Sequence, residues 1–219
     1  MAERRPQGVI FDCDGVLVDS EPPTNAVLVA NLKRHGLRLT EVEAAELFIG
    51  GTMRGVGERA RALGADLPAG WIDEIYGEIY ARLEAGTPPV PGIAALLDGL
   101  EAAGMPYAVA SNGSIEKMRI TLGQTGLWRR FEGRMFSAHV AGTAKPEPGL
   151  FLLAAEAIGR APEACTVVED SPTGCIAARR AGMRCLGLAR EGDGARLARE
   201  GALVVRSLAE AGRALGLAA

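Results

Sequence analysis

Three short apolar runs, each ending in polar residues, constrain the fold of this chain more than any other feature. Val9-Ile10-Phe11 runs into Asp12-Cys13-Asp14-Gly15, and Tyr107-Ala108-Val109-Ala110 into Ser111-Asn112-Gly113. Cys165-Thr166-Val167-Val168 runs into Glu169-Asp170. Runs this short, rich in β-branched residues and separated by helical patterns, are strands of a parallel sheet buried on both faces. Weaker strands are expected at Met135–Val140, Arg184–Ala189 and Ala202–Val205. Helical spacing of apolar residues predicts Ile93–Ala103, Ile115–Thr125, Pro148–Ile158 and Thr173–Ala181 as helices. Gly104, Gly126, Gly159 and Gly182 stand at their stops, where a C-terminal cap needs a left-handed residue. The expected class is α/β, a Rossmann-like parallel sheet with helices on both faces. Ligands of such sheets bind beyond the carboxyl ends of the strands, where the polar residues fall.

One segment breaks the alternation. Residues 21–87 read as helices only: Thr24–Arg34, a helix opened by the capping box Thr40-x-x-Glu43, Met53–Leu63 and Ala69–Leu83. The last carries Trp71, Ile72, Ile75, Ile79 and Leu83 on one face. Thr87-Pro88-Pro89-Val90-Pro91-Gly92 returns the chain to the sheet as a semi-rigid linker. The expected organisation is a catalytic core of residues 1–20 and 88–219, interrupted by a helical cap over 21–87. Hinges are expected near Asp19–Pro23 and Gly86–Pro91.

Composition narrows the function. Lys+Arg 24 against Asp+Glu 27 leaves a formal charge of −3, without the basic footprint that a nucleic-acid backbone demands. Hydrophobic residues make up 48% and no apolar run reaches membrane-spanning length, so no membrane role is expected. Met1–Gln7 is too short and polar for a signal peptide, and Cys13, Cys165, Cys175 and Cys185 form no C-x-x-C pair. With only His35 and His139, they read as buried thiols in a reducing compartment. A cytoplasmic location follows as the expectation, with a monomer as the default state.

The polar ends carry the chemistry. Residues two apart on a strand point the same way, so Asp12 and Asp14 read either as two carboxylates side by side that need a cation or, taken alone, as a polar turn capping the next helix. With Glu169 and Asp170 on the same rim, four acids gather, which is costly without a metal. A hard cation such as Mg²⁺ suits one or two carboxylates, water and a substrate phosphate. Ser111-Asn112-Gly113 offers a hydroxyl, an amide and backbone N–H groups near a helix start, either a plain helix cap or a seat for phosphate oxygens. The only lysines are Lys33, Lys117 and Lys145, against 21 arginines. Lys145, just before Pro146, reads as a compact ammonium reaching between phosphate and carboxylate.

Asp12-x-Asp14-Gly15-Val16-Leu17-Val18-Asp19-Ser20-Glu21, Ser111-Asn112-Gly113, Lys145-Pro146 and Glu169-Asp170-Ser171-Pro172-Thr173-Gly174 together resemble the four ordered motifs of the haloacid-dehalogenase-like hydrolases. More narrowly they are similar to the phosphatase and β-phosphoglucomutase branch with a small helical cap. The resemblance implies that Asp12 attacks phosphorus to form an aspartyl-phosphate. It implies that Asp14 is the general acid and base, its carbonyl a metal ligand. Asp12, Asp14, Glu169 and Asp170 would hold Mg²⁺, with Glu169 direct or through water. Ser111, the Asn112 backbone and Lys145 would hold the phosphoryl oxygens.

Rival activities divide on single residues. A dehalogenase lacks the second aspartate that Asp14 supplies. A phosphonate hydrolase needs a cap lysine, and Lys33 is poorly placed for it. The mutases carry a histidine where this chain has Thr24, which favours hydrolysis and keeps a phosphosugar mutase as the alternative. A receiver-like, non-catalytic phospho-regulatory protein is the remote alternative, opposed by the helical insert and by the presence of Asp12, Asp14 and Lys145. Arg54, in Gly50-Gly51-Thr52-Met53-Arg54, is either a solvated helix-surface arginine or a contact to a distal anionic group. Tyr76 stays undecided, and Trp71 reads as core. The expected activity is a Mg²⁺-dependent phosphomonoesterase acting on a small phosphorylated metabolite, a sugar or sugar-acid phosphate.

Overall fold

The computed structural model describes residues 6–48, 52–190, 192 and 194–217. It divides into two compact units, residues 1–19 with 88–219, and residues 20–87.

The first unit is built on six strands: β1 (Gly8–Phe11), β2 (Tyr107–Ser111), β3 (Met135–Ser137), β4 (Cys165–Glu169), β5 (Arg184–Leu188) and β6 (Leu203–Val205). All pair in parallel, in the order β3-β2-β1-β4-β5-β6. The order reverses direction at β1, so the crevice beyond its carboxyl end is the switch point of the sheet. Both faces are buried because alternate side chains enter different cores. Val9 and Phe11 join one cluster with Val109, Val168 and Leu186. Ile10 joins the other with Ala108, Ala110 and Val167.

The helical unit holds α1 (Glu21–Arg34), α2 (Glu41–Phe48), α3 (Met53–Ala62) and α4 (Trp71–Glu84). The helices of the first unit are α5 (Ile93–Ala102), α6 (Ile115–Gln124), α7 (Ala138–Ala141), α8 (Gly149–Ala157), α9 (Pro172–Arg180), α10 (Ala195–Arg199) and α11 (Leu208–Ala214). Helices α5, α6 and α11 cover the first face through Leu97, Met118 and Leu208. Helices α8, α9 and α10 cover the second through Phe151, Ala177 and Leu197. The four helix-stop glycines all have φ between 61° and 73°, so any Cβ there would be strained.

Two local expectations change. The strand expected over Met135–Val140 ends at Ser137, whose hydroxyl accepts from His139 N–H and starts α7, leaving Val140 77% exposed. Helix α1 begins at Glu21, ahead of Thr24, because Pro22 and Pro23 occupy first-turn positions where a missing N–H costs nothing.

The helical unit is tied by one buried polar knot. Trp71 is fully buried, and its indole N–H donates to Asn31 Oδ1 at 2.7 Å, while Asn31 Nδ2 donates to Glu74 Oε1 at 2.9 Å. Trp71 is thus core, packed so closely that a Cβ on Gly57 would lie 2.8 Å from its ring. Tyr76 stacks obliquely on Tyr80 with ring centroids 5.8 Å apart. The Thr40–Glu43 capping box forms in both directions, at 2.8 and 3.2 Å.

Candidate active site

The site starts where β1 stops. The strand ends at Phe11, so a turn, and not the strand pleat, aims Asp12 and Asp14. Asp12 N–H still donates to Val168 O of β4 at 3.0 Å, which fixes the carboxylate at the sheet edge. The chain then curls: Leu17 and Val18 N–H both donate to Cys13 O, and Gly15 N–H donates to Val18 O at 2.8 Å. Gly15 has φ +75°, and a Cβ there would stand 1.8 Å from Asp170 Oδ2. The Asp170 carboxylate therefore occupies the space that glycine leaves open.

Lys145 is the hub. Its side chain is 3% exposed, and Nζ donates to Asp12 Oδ1 and, at 2.7 Å, to Glu169 Oε1. Nζ also lies 4.9 Å above the Phe151 ring. Burial alone would lower the Lys145 pKa, but the two carboxylates outweigh it and hold the ammonium well above its usual range. Asp12 is pushed up to about 7, first by burial and then by Glu169 and Asp14, with Lys145 opposing.

Glu169 is braced from both sides. Its Oε2 accepts from Ser171 N–H at 2.7 Å and from Ser171 Oγ at 2.9 Å, while Oε1 takes Lys145. A Cβ on Gly174 would lie 1.7 Å from Glu169 Oε1, so the Ser171–Gly174 turn at the start of α9 exists to admit this carboxylate. Both its oxygens are engaged, and Glu169 acts here as the counter-ion of Lys145.

Ser111, buried at the end of β2, accepts Gly113 N–H on Oγ at 3.0 Å. Asn112 turns its side chain on the Lys145 backbone: Lys145 N–H donates to Oδ1 at 2.9 Å and Nδ2 donates to Lys145 O at 3.2 Å. Asp14 is paired with a residue that sequence reasoning left without a role: Lys117 Nζ lies 2.8 Å from Asp14 Oδ1. Asp14 outweighs burial there and raises the Lys117 pKa. The signal that could have found it is the scarcity of lysine that singled out Lys145.

The structure thus brings Asp12, Glu169, Lys145 and Asn112 into one network, with Asp14 held by Lys117 and Asp170 seated on Gly15. Arg54 belongs to the other unit, where it is exposed in the first turn of α3; Gly50 and Gly51 lie outside the described residues. Thr24 lies in the first turn of α1, its hydroxyl buried and without a hydrogen-bond partner among the described residues.

The residues fit a hard divalent cation. Four carboxylates (Asp12, Asp14, Glu169, Asp170) outnumber two ammonium groups (Lys117, Lys145) by the charge such an ion carries. The donors are all oxygen, as Mg²⁺ prefers. Among the described residues no three His, Cys, Asp or Glu side chains form a ready metal cage.

A parallel sheet with a buried carboxylate–lysine–carboxylate triad at its switch point defines an α/β protein whose charged site lies beyond the strand ends. The chain belongs to the haloacid dehalogenase-like hydrolase family, whose model matches residues 6–182. It is 35% identical over 207 residues to hexitol phosphatase A of Escherichia coli (strain K12), covering 93% of this chain and 92% of that one. It is 31% identical to 6-phosphogluconate phosphatase of the same organism, covering 82% and 80%. A haloacid dehalogenase family hydrolase from Deinococcus radiodurans R1, solved with bound phosphate and sodium, superimposes with a TM-score of 0.82 at 34% identity, covering 97% and 96%.

Proposed function

We propose that this hydrolase is a Mg²⁺-dependent phosphatase of a small phosphorylated metabolite, a sugar or sugar-acid phosphate, working through a phosphoryl group on Asp12. The observation that carries the reading is the Asp12–Lys145–Glu169 triad: a buried carboxylate at a strand end, held by an ammonium that a second carboxylate fixes. The relatives named for hexitol and 6-phosphogluconate phosphatase activity support the substrate class. The phosphate in the Deinococcus radiodurans structure supports the ligand chemistry.

In the first step an Asp12 oxygen attacks phosphorus while the bond to the alcohol oxygen breaks. Asp14 gives its proton to that oxygen, and the alcohol leaves. In the second step water attacks the phosphoryl group, Asp14 takes the water proton, and the Asp12–phosphorus bond breaks to release phosphate. Lys145, the Ser111 hydroxyl and the N–H groups of the Ser111–Gly113 turn hold the phosphoryl oxygens, since such transfers are mainly positioning and charge stabilisation. Asp12, the Asp14 carbonyl and Asp170 would hold Mg²⁺, with Glu169 contributing through water. The ion supplies charge neutralisation for the phosphoryl oxygens when bound.

The helical unit is assigned the part of a cap, and Arg54 the selection of a second anionic group. Four free, buried cysteines support a cytoplasmic enzyme. It is assigned as a monomer. The test is phosphate release across a panel of sugar phosphates, with and without Mg²⁺, following β-glucose 1-phosphate also for isomerisation. Free phosphate abolished by EDTA supports the reading. Conversion to glucose 6-phosphate with little free phosphate overturns it in favour of a mutase.

A further inference from the structure

Lys117 has no part in the reaction described so far, yet its position is hard to explain as surface chemistry. It lies in the first turn of α6, three residues after the N-cap Ser114, whose Oγ accepts Lys117 N–H at 3.0 Å. A capping box would put Glu or Gln there, and a cation beside the positive end of a helix is disfavoured. What offsets this is Asp14, whose Oδ1 lies 2.8 Å from Nζ, with both side chains mostly shielded from water. Gly113 stands beside the pair. A Cβ there would lie 3.5 Å from both Asp14 Oδ2 and Lys117 Cδ, and 3.2 Å from Ser111 Oγ. Asp14 Oδ2 is therefore turned towards the Ser111–Gly113 loop, the segment assigned to the phosphoryl oxygens.

The geometry points to Lys117 as a positioning residue for proton transfer, holding Asp14 Oδ1 so that Oδ2 faces the phosphoryl loop. This rests on the phosphatase reading. The two lysines divide the Asp12-x-Asp14 pair: Lys145 takes the nucleophile and Lys117 the acid. When Asp14 gives its proton to the leaving oxygen, that oxygen keeps the electrons of the broken bond. Asp14 becomes a carboxylate against Lys117, which keeps its three protons throughout. The effect of losing Lys117 must then depend on how much the leaving group needs an acid. An alkyl oxygen needs the proton; a nitrophenolate leaves without one.

The experiment measures kcat/KM, which reports the steps through alcohol release, for an alkyl sugar phosphate and for p-nitrophenyl phosphate. The enzymes are wild type, Lys117→Met, Lys117→Gln, Asp14→Asn and the Asp14→Asn/Lys117→Met double variant, each checked for folding by thermal melting. Expected is a fall of about tenfold to a hundredfold for the alkyl ester in the Lys117 variants, the scale of a misplaced catalytic group. The aryl ester should fall at least about tenfold less. Lys117→Met should add nothing in the Asp14→Asn background, since the two act as a unit. Equal falls for both esters, or additive losses in the double variant, overturn the inference. Lys117→Gln decides the matter if the methionine variant does not fold. Wild type that releases no phosphate from either ester overturns the phosphatase reading itself; wild type that hydrolyses both while Asp12→Asn does not leaves Lys117 alone on trial.

Discussion

Asn112 and Lys145, separated by 33 residues, grip one another through two hydrogen bonds, Lys145 N–H to Asn112 Oδ1 at 2.9 Å and Asn112 Nδ2 to Lys145 O at 3.2 Å. The exposed asparagine thereby sets where the buried ammonium emerges. Asn112→Ala is expected to lower kcat/KM about tenfold or more through a displaced Lys145. The stability cost should be only about 1–2 kcal/mol, the net worth of two such bonds. Steady-state kinetics beside thermal melting checks this; a stability loss with unchanged kinetics would contradict it.

Asp12→Asn should cut turnover at least a thousandfold (~10³), because an amide oxygen cannot serve as the nucleophile. Retention of more than about a tenth of wild-type activity would be incompatible with the proposed step. Asp14→Asn should be nearly as inactive on alkyl esters yet keep Mg²⁺ affinity, since its carbonyl remains. Asp170→Ala should lose that affinity. Calorimetric titration of Mg²⁺ separates the two, and equal losses would refute the division of roles.

Gly174→Ala should eject Glu169, whose Oε1 occupies the place of the new Cβ at 1.7 Å, and leave Lys145 short of a partner. Breaking a buried pair costs about 3–5 kcal/mol. The contrasting substitution is Gly77→Ala in α4, where nothing lies within 4 Å and the backbone is helical. It should stabilise by about 0.5–1 kcal/mol. Denaturant midpoints of the two variants should move in opposite directions.

Asn31→Leu removes the acceptor of the Trp71 indole and the donor to Glu74. A buried N–H left unpaired costs about 1–3 kcal/mol. At about 2–4 °C per kcal/mol for a chain of this length, the expected loss is several degrees in Tm. An unchanged melting temperature would show that the knot contributes nothing.

Arg54→Ala should raise KM for substrates bearing a second anionic group and leave p-nitrophenyl phosphate untouched. The same shift for both esters would rule out a role in recognising a distal anion.

The sequence alone carried the alternation of strand and helix, the helix-stop glycines and the four acidic positions. Each is local: a period of two or 3.6, a left-handed residue at a stop, a carboxylate after an apolar run. It also marked Lys145, because one of three lysines beside 21 arginines is conspicuous. Lys117 carried the same mark and went unread, for want of any local pattern naming its partner.

Partnership was decided by tertiary structure. Lys145 meets Asp12 across 133 residues of chain and Glu169 across 24, and no periodicity encodes which carboxylate an ammonium will find. Nor could strand alternation say that the strand would stop at Phe11 and a turn through Gly15 would carry Asp14 to Lys117. Residue types and their order define the chemistry available to this chain. At Gly15 and Gly174 the missing Cβ leaves the space that the Asp170 and Glu169 carboxylates fill, an approach that only the folded chain brings about.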